Sequence, residues 1–399
     1  MRKKNLRVGL FLPALLTYGG GVEKYFIELA RNLTERGAEV NLITIDEASS
    51  QKIVKLWSLY YGQKVAVTQR ETKAEVSRKI GLANWHSIPL RKMKSLLKKN
   101  QVIYVKNEFY DLFLLKLMGL KNLPPIVVGV HTAIKIPFVG CFHNKLHNFL
   151  YASPLYRWLL RGAGLVQVPN RDDQRLIEER FGLKAILIHH PFEAETTGIS
   201  RVKSELIGTH RCLRFLFVGR FVEQKGIDIL FAVIKALSTE KIFSKLHFRL
   251  AGQGDNQVYQ REAVNLGKEF ENVDYLGYVP NSKIGRHYSW TDIVLVPSRH
   301  ETVNFVVLEA GAAGRVVIAS DIPGPREIIV DRKTGFLINL SVEAFVKKIE
   351  ELFRIKEQEP AALAKIGRAA RKQVTANFNP QKIYQQFERM LLSVAKEAL

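Results

Sequence analysis

The sequence predicts an α/β protein made of two parallel sheets with helices on both faces. Three observations carry that prediction. Short apolar runs such as EVNLITI, LRFLFVG and VVIAS alternate with amphipathic stretches along the chain, and near-continuous apolar strands belong to parallel sheets buried on both faces. The length of 399 residues exceeds what one hydrophobic core supports and suits two domains of ordinary size. The alternation breaks in the polar, aperiodic stretch PFEAETTGISRVKSELIGTHRC, residues 191–212, and then restarts. Two Rossmann-like domains are therefore expected, residues 1–195 and 196–380, with 381–399 a C-terminal helix packing back toward the first. Ligands of open α/β sheets bind outside the carboxyl ends of the strands, so both sets of strand ends are expected to face one central cleft.

The elements follow in order. MRKKNLR and then VGLFLPALL imitate a signal peptide. The apolar stretch is short and no small-x-small cleavage site follows it, so residues 6–12 read as a first buried strand. VEKYFIELARNLTERG has apolar residues at helical spacing and ends at Gly37, which reads as a helix. EVNLITI, QVIYVKN, PPIVVGVHT and LVQVP read as further strands of the first domain. LRFLFVG, KLHFRLAG, VDYLG, IVLVPS and VVIAS read as those of the second, with helices between. No repeat and no low-complexity tract interrupts them.

Apolar residues make up 47% of the chain, which excludes a disordered protein. No apolar run approaches the ~18–20 residues of a membrane span. Cys141 and Cys212 lie far apart without a CxxC, so a reduced, cytoplasmic setting is expected. The charge is +22, and residues 51–100 alone hold 12 basic against 2 acidic side chains. Such a surplus suits phosphorylated substrates, an anionic membrane face or nucleic acid; on a less basic protein it would be an ordinary solvated surface. Residues 85–100, WHSIPLRKMKSLLKKN, read equally well as an interfacial amphipathic helix with Trp85, Ile88, Leu90, Met93, Leu96 and Leu97 on its apolar face, or as a basic helix packed on the sheet.

Three motifs carry chemistry. In LFVGRFVEQKGIDIL, residues 216–230, a strand ends, Arg220 and Lys225 follow, and Gly226 opens a helix. Two cations at a strand end beside free helix N–H groups suit a diphosphate, with two solvated loop cations as the even alternative. In TYGGGVEKY, Gly20 and Gly21 stand between strand and helix, where they admit a ligand close to the backbone or simply make a turn. In SRHETVNFVVLEAGAAG, residues 298–314, Asn304 is a good cap residue for a helix that contains Glu309, and Glu301 precedes it. If all eight residues were helical, a ~1.5 Å rise would place the two glutamates roughly 12 Å apart. Glycosidase carboxylate pairs stand about 5–9.5 Å apart, so this spacing suits two hydroxyl-bearing groups joined by a diphosphate.

With these residues in place, the chain resembles the retaining glycosyltransferases of family 4, which have the GT-B fold. The likeness rests on GGVEKYFIELARNL, VGRFVEQKG, LAGQGD, NVDYLGYVP and TDIVLVPSRHETVNFVVLEA, the last resembling the family's E-x7-E motif. It implies that Arg220 and Lys225 bind the donor's diphosphate, that Glu301 meets the donor sugar and that Glu309 takes ribose hydroxyls. It further implies that Gly20 and Gly21 approach the phosphates, that Asn304 and Phe305 touch them through the backbone, that His131 in GVHT stands at the sugar, and that Tyr278 lies where the base is held. A hydrogen-bonded core histidine is the competing reading of His131. The implied donor is a UDP- or GDP-linked sugar, with no cofactor or metal required. The implied acceptor is a glycan or a lipid-linked molecule; the basic first half suits one carrying phosphate or held in an anionic membrane, so with the cysteine usage the expected location is cytoplasmic, peripheral on the membrane face. Two departures stand out. ETVN replaces the family's EGFG-like sequence, and IPGPRE stands where a Gly-Gly pair is usual.

Rival readings are weaker. A Rossmann oxidoreductase lacks its GxGxxG here, and a pyridoxal phosphorylase lacks its lysine motif. Epimerases and inverting transferases lack such an E-x7-E. A nucleic-acid binder explains +22 and leaves the two glutamates unexplained, so nucleic acid is not an expected partner.

Overall fold

The computed structural model describes residues 6–13, 21–51, 72–119, 122–136, 142–194, 199, 210–254 and 257–397. Gly20 and Cys141 fall outside them, as does most of the basic 51–71 segment. The chain forms two compact units. One comprises Met1–His189 with Gln381–Leu399, the other His190–Pro380. The division thus falls at His189/His190, where the sequence reading put it after residue 195.

The first unit holds a seven-stranded sheet of β1 (Arg7–Leu12), β2 (Glu39–Ile45), β3 (Asn84–Ile88), β4 (Val102–Lys106), β5 (Ile126–Gly129), β6 (Leu165–Val168) and β7 (Ala185–Leu187). Their order is β3-β2-β1-β4-β5-β6-β7. The second holds β8 (Leu213–Val218), β9 (Leu246–Ala251), β10 (Val273–Gly277), β11 (Ile293–Val296), β12 (Val316–Ser320) and β13 (Phe336–Ile338), in the order β10-β9-β8-β11-β12-β13. Neighbouring strands run parallel in both sheets, as at Leu10↔Leu42 and Val294↔Val317. Each order reverses direction once, between β1 and β4 and between β8 and β11, and ligands of such sheets gather at that switch point.

Hydrophobic burial explains the central strands. β1 and β2 bury every residue but the first, and β4 buries all five. The helix Gly21–Glu35 lays Tyr25, Phe26, Leu29, Ala30 and Leu33 on the sheet, the i, i+3/i+4 stripe of a surface helix. The chain leaves it through Gly37 at φ 93. The helix Pro380–Glu397 buries Ile383, Tyr384, Phe387, Met390 and Leu391, and from Gln381 onward it groups with the first unit.

Residues 85–100 correct the single-helix expectation. Trp85 and Ile88 belong to strand β3, paired with β2, and only Leu90–Leu97 is helical. Pro89 stands at the junction. A proline holds the residue before it extended and is itself at home at a helix start. Met93 and Leu97 are fully buried in the core, with Leu90 and Leu96 packed against it. Ile88, Leu90, Met93, Leu96 and Leu97 thus pack on the protein's own core, which is the second of the two readings of this stretch.

Candidate active site

The second unit builds its site at the switch point. After β8 the chain passes Arg220, makes a short 3-10 turn Glu223–Lys225, and enters the helix Ile227–Leu237 through Gly226. Gly226 has φ 68, and a Cβ there would meet the Pro297 carbonyl oxygen at 1.7 Å. Only glycine lets this loop lie so close to the end of β11. The closeness brings Lys225 to Glu301. Lys225 Nζ donates to Glu301 Oε1 at 2.5 Å, and Ser298 Oγ donates to the same oxygen at 3.0 Å. Glu301 is 8% exposed, so its charge is repaid by these two donors. Arg220, by contrast, is exposed, and no acidic residue among the described residues pairs with it.

Glu309 lies inside the helix Phe305–Ala312 and accepts from Tyr288 Oη at 2.6 Å. Burial raises its carboxyl to about 7, against the lowering effects of the Tyr288 hydrogen bond and of Lys225's charge. Lys225 is therefore the cation both glutamates feel. Asn304 caps the helix: its side chain accepts from Val307 N at 3.1 Å, and it is 2% exposed. Its φ is −111, extended backbone open to any residue, so ETVN needs no left-handed residue at this position. Its side-chain oxygen serves the cap. The first-turn N–H groups of the helix lack intrahelical partners and favour an anion. Gly324, in IPGPRE, donates its N–H to the Glu301 carbonyl oxygen at 3.0 Å, and a Cβ there would meet Glu301 Cβ at 2.8 Å. Phe305 and Tyr278 are 45% and 64% exposed.

In the first unit, Asn107 sets the segment after β5. Its Oδ1 accepts from His131 N at 3.0 Å and Thr132 N at 3.1 Å, and its Nδ2 donates to Thr132 O at 2.8 Å. Glu108 accepts from the Thr132 hydroxyl at 2.6 Å. The His131 ring packs on Tyr25 at 4.5 Å between centroids, and its Nε2 lies 3.0 Å from Tyr104 Oη. A chain of bonds decides the tautomer. Gln167 Nε2 donates to Ile188 O at 2.7 Å, so its Oε1 receives the Tyr104 hydroxyl proton at 2.8 Å. Tyr104 has no second proton to give. His131 Nε2 must donate, which in the neutral ring leaves Nδ1 as the acceptor. The competing core reading of His131 is thus partly realised, since half of its ring belongs to a buried network. Gly21 opens the helix Gly21–Glu35.

Residues 19–195 match the family described as Glycosyltransferase Family 4, and residues 212–354 match the one described as Glycosyl transferases group 1. The chain belongs to the family 4 glycosyltransferases. Over 127 residues it is 37% identical to an uncharacterized 41.2 kDa protein in the cps region of Klebsiella pneumoniae, 32% of this chain and 33% of that protein. Over 351 residues it is 25% identical to the phosphatidyl-myo-inositol mannosyltransferase of Mycolicibacterium smegmatis, 84% of this chain and 81% of that protein. The chain thus spans a third of the first relative and about four-fifths of the second. Among solved structures, Anabaena HepE in complex with UDP superposes with a TM-score of 0.70 at 17% identity, over 97% of this chain and all of that one. That likeness shows the fold, two parallel α/β units of GT-B type.

In this family 4 glycosyltransferase, Lys225, Glu301 and Glu309 come together across the switch point, while Arg220 shares Lys225's loop. Sequence reasoning missed Ser298, Tyr288 and a staple beneath the loop. Arg299 grips Asp228 with two bonds of 2.7 and 2.6 Å, and its Nη1 also donates to Glu223 O at 2.6 Å. Arg299 N donates to Gln224 O at 2.8 Å. Ser298 and Arg299 stand inside the SRHE motif, which was the available signal. Tyr288 and Asp228 sit in ordinary helical positions, where nothing distinguishes them in sequence. No group of three or more His, Cys, Asp or Glu side chains suited to a metal occurs among the described residues.

Proposed function

We propose that the protein transfers a sugar from a UDP- or GDP-linked donor to a lipid-linked or phosphorylated acceptor, retaining the anomeric configuration and using no metal. The observation that carries this reading is the Lys225–Glu301 pair at the β8/β11 switch point, with the exposed Arg220 in the same loop. The bond from the anomeric carbon to the diphosphate breaks, one to an acceptor hydroxyl oxygen forms, and that hydroxyl's proton goes to the departing diphosphate. Negative charge grows on the departing diphosphate. Arg220, Lys225 and the free N–H groups of the helix Phe305–Ala312 meet it, and what they add in the transition state is what accelerates transfer. Glu301 takes a sugar hydroxyl as Lys225 turns part of its charge to the phosphates. Glu309 accepts from the ribose, and Tyr278 lies beside the base. His131, held by Nε2–H on Tyr104, is assigned to the sugar on the family resemblance alone. The charge of +22 favours an acceptor bearing phosphate, and the mycobacterial relative is named for a phosphatidyl-inositol acceptor. HepE's UDP complex makes UDP the first nucleotide to try.

Two measurements test the reading. UDP or GDP is expected to raise the melting temperature, with NAD and oligonucleotides inert. Arg220→Ala and Lys225→Ala are each expected to lower kcat by about 10²–10³-fold, the usual cost of one electrostatic stabiliser. Near wild-type turnover in both variants overturns the diphosphate assignment.

A further inference from the structure

From Leu112 to Asn170 the sequence contains no Asp or Glu, while Lys116, Lys121, Lys135, Lys145, Arg157 and Arg161 fall within it. That stretch also carries much of the exposed apolar surface. On the helix Phe109–Leu117, Phe113 is 37% and Leu117 69% exposed; on the helix Pro154–Leu160, Leu155 is 44% and Trp158 50% exposed. The two helices pack together. Lys116 Nζ lies 3.9 Å from the Trp158 ring centre, which joins their outward residues into one face. The inward residues Leu112, Leu115, Tyr156, Leu159 and Leu160 fill the core. Lys94, from the helix Leu90–Leu97, reaches Gly119 beside the same helix end: a Cβ on Gly119 would lie 3.7 Å from its Nζ.

We propose that this face docks the protein on the surface of an anionic lipid bilayer. The inference rests on the lipid-linked acceptor proposed above and moves the contact from residues 85–100 to the helices Phe109–Leu117 and Pro154–Leu160. Exposed aliphatics and a Trp with Lys116 over its ring, Arg157 and Arg161 on the same helix and at its end, and no carboxylate from Leu112 to Asn170 match an interface of acyl chains beneath acidic headgroups. A contiguous exposed apolar face marks an interaction site. Charge decides between occupants. A second copy would set the same cations against one another across a two-fold interface. A nucleic acid would leave Leu117 and Leu155 without apolar partners.

The test is flotation with vesicles of equal parts phosphatidylcholine and phosphatidylglycerol, compared with phosphatidylcholine alone. Wild type is expected to float with the mixed vesicles at low salt and to be released toward 1 M salt, where screening shortens to about 3 Å. Leu117→Glu and Trp158→Glu are each expected to lower binding at least about tenfold, since each adds a charge that headgroups repel. Lys365→Glu makes a larger charge change at an exposed site in the second unit and is expected to bind like wild type. Matching melting temperatures show that the variants fold; if Trp158→Glu does not, the more exposed Leu117→Glu decides alone. No flotation of wild type, equal binding by Leu117→Glu, an equal loss in Lys365→Glu, or a dimer that Leu117→Glu dissociates overturns the proposal. UDP stabilisation measured without vesicles separates the two readings. Nucleotide binding without flotation removes the docking face and leaves the donor site, and flotation without nucleotide binding does the reverse.

Discussion

At the residue scale, Glu309 carries a pH signature with two opposite consequences. Burial lifts its carboxyl to about 7, above the ordinary value of 4.5 that it regains on unfolding. The folded protein therefore binds the extra proton between those values. Glu309's contribution to stability is present on the acid side and is lost as pH rises toward 7. Binding runs the other way. Ribose hydroxyls donate, and only the ionised carboxylate accepts from both without a proton of its own, so nucleotide affinity is expected to climb as pH rises through 7. Glu309→Gln is expected to flatten both profiles and to weaken UDP or GDP by about tenfold or more above pH 7, the worth of a charge-assisted hydrogen bond. Calorimetric titration across that window, with thermal unfolding alongside, reads both. A wild-type affinity that ignores pH sinks the assignment. The spacing of Glu301 and Glu309 in the sequence argues against their acting as one acid–base couple. That Lys225 bears on both was not legible there, because its pairing with Glu301 joins residues 76 apart.

At the element scale, the loop between β8 and the helix Ile227–Leu237 is placed by its staple. Arg299 holds Asp228 and the Glu223 carbonyl from the strand-end segment that also carries Ser298 and Glu301. Asp228→Ala is expected to cost about 1–3 kcal/mol of stability. It is also expected to lower kcat about ten- to a hundredfold, since small displacements of the cation proposed to meet the diphosphate are expensive. Asp228→Glu, which keeps the bidentate carboxylate, is expected to restore part of the rate. A fully active Asp228→Ala shows the loop to be set by Gly226 alone. Legibility at this scale follows position in the sheet. Central strands such as EVNLITI and LRFLFVG announce themselves because both faces are buried. The unread strands β3, β7 and β13 all lie at sheet edges, and two of them have only three residues. An edge strand needs no continuous apolar run, and three residues show no period. That is also why WHSI passed for the start of a helix: with one side of β3 unpaired among the described residues, its pattern merged with the basic helix that follows Pro89.

At the scale of the whole molecule, the chain starts in one unit, builds the other, and returns. The returning helix Pro380–Glu397 completes the first unit's core. Phe387 is fully buried, with its ring 6.1 Å from Tyr25 and 5.9 Å from Tyr104. Arg36 ties the helix start by donating to Gln381 O at 2.7 Å. Tyr25 and Tyr104 are the residues that hold the His131 ring, so the C-terminal helix buttresses a site formed some 250 residues earlier in the sequence. Phe387→Ala is expected to cost about 3–5 kcal/mol, the usual price of an aromatic removed from a core, and to fall on the first unit alone. Hydrogen exchange locates such a loss, because protection reports the local opening of each segment. Amides of β1 and β4 are expected to lose protection while those of β8 and β11 keep theirs. UDP is expected to raise the stability of the second unit as much as in the wild type, since Arg220, Lys225 and Glu309 belong to that unit and Phe387 to the first. Equal loss of protection in both sheets would mean that the two units fold as one cooperative body, and unchanged protection would mean that the helix only covers a core already complete.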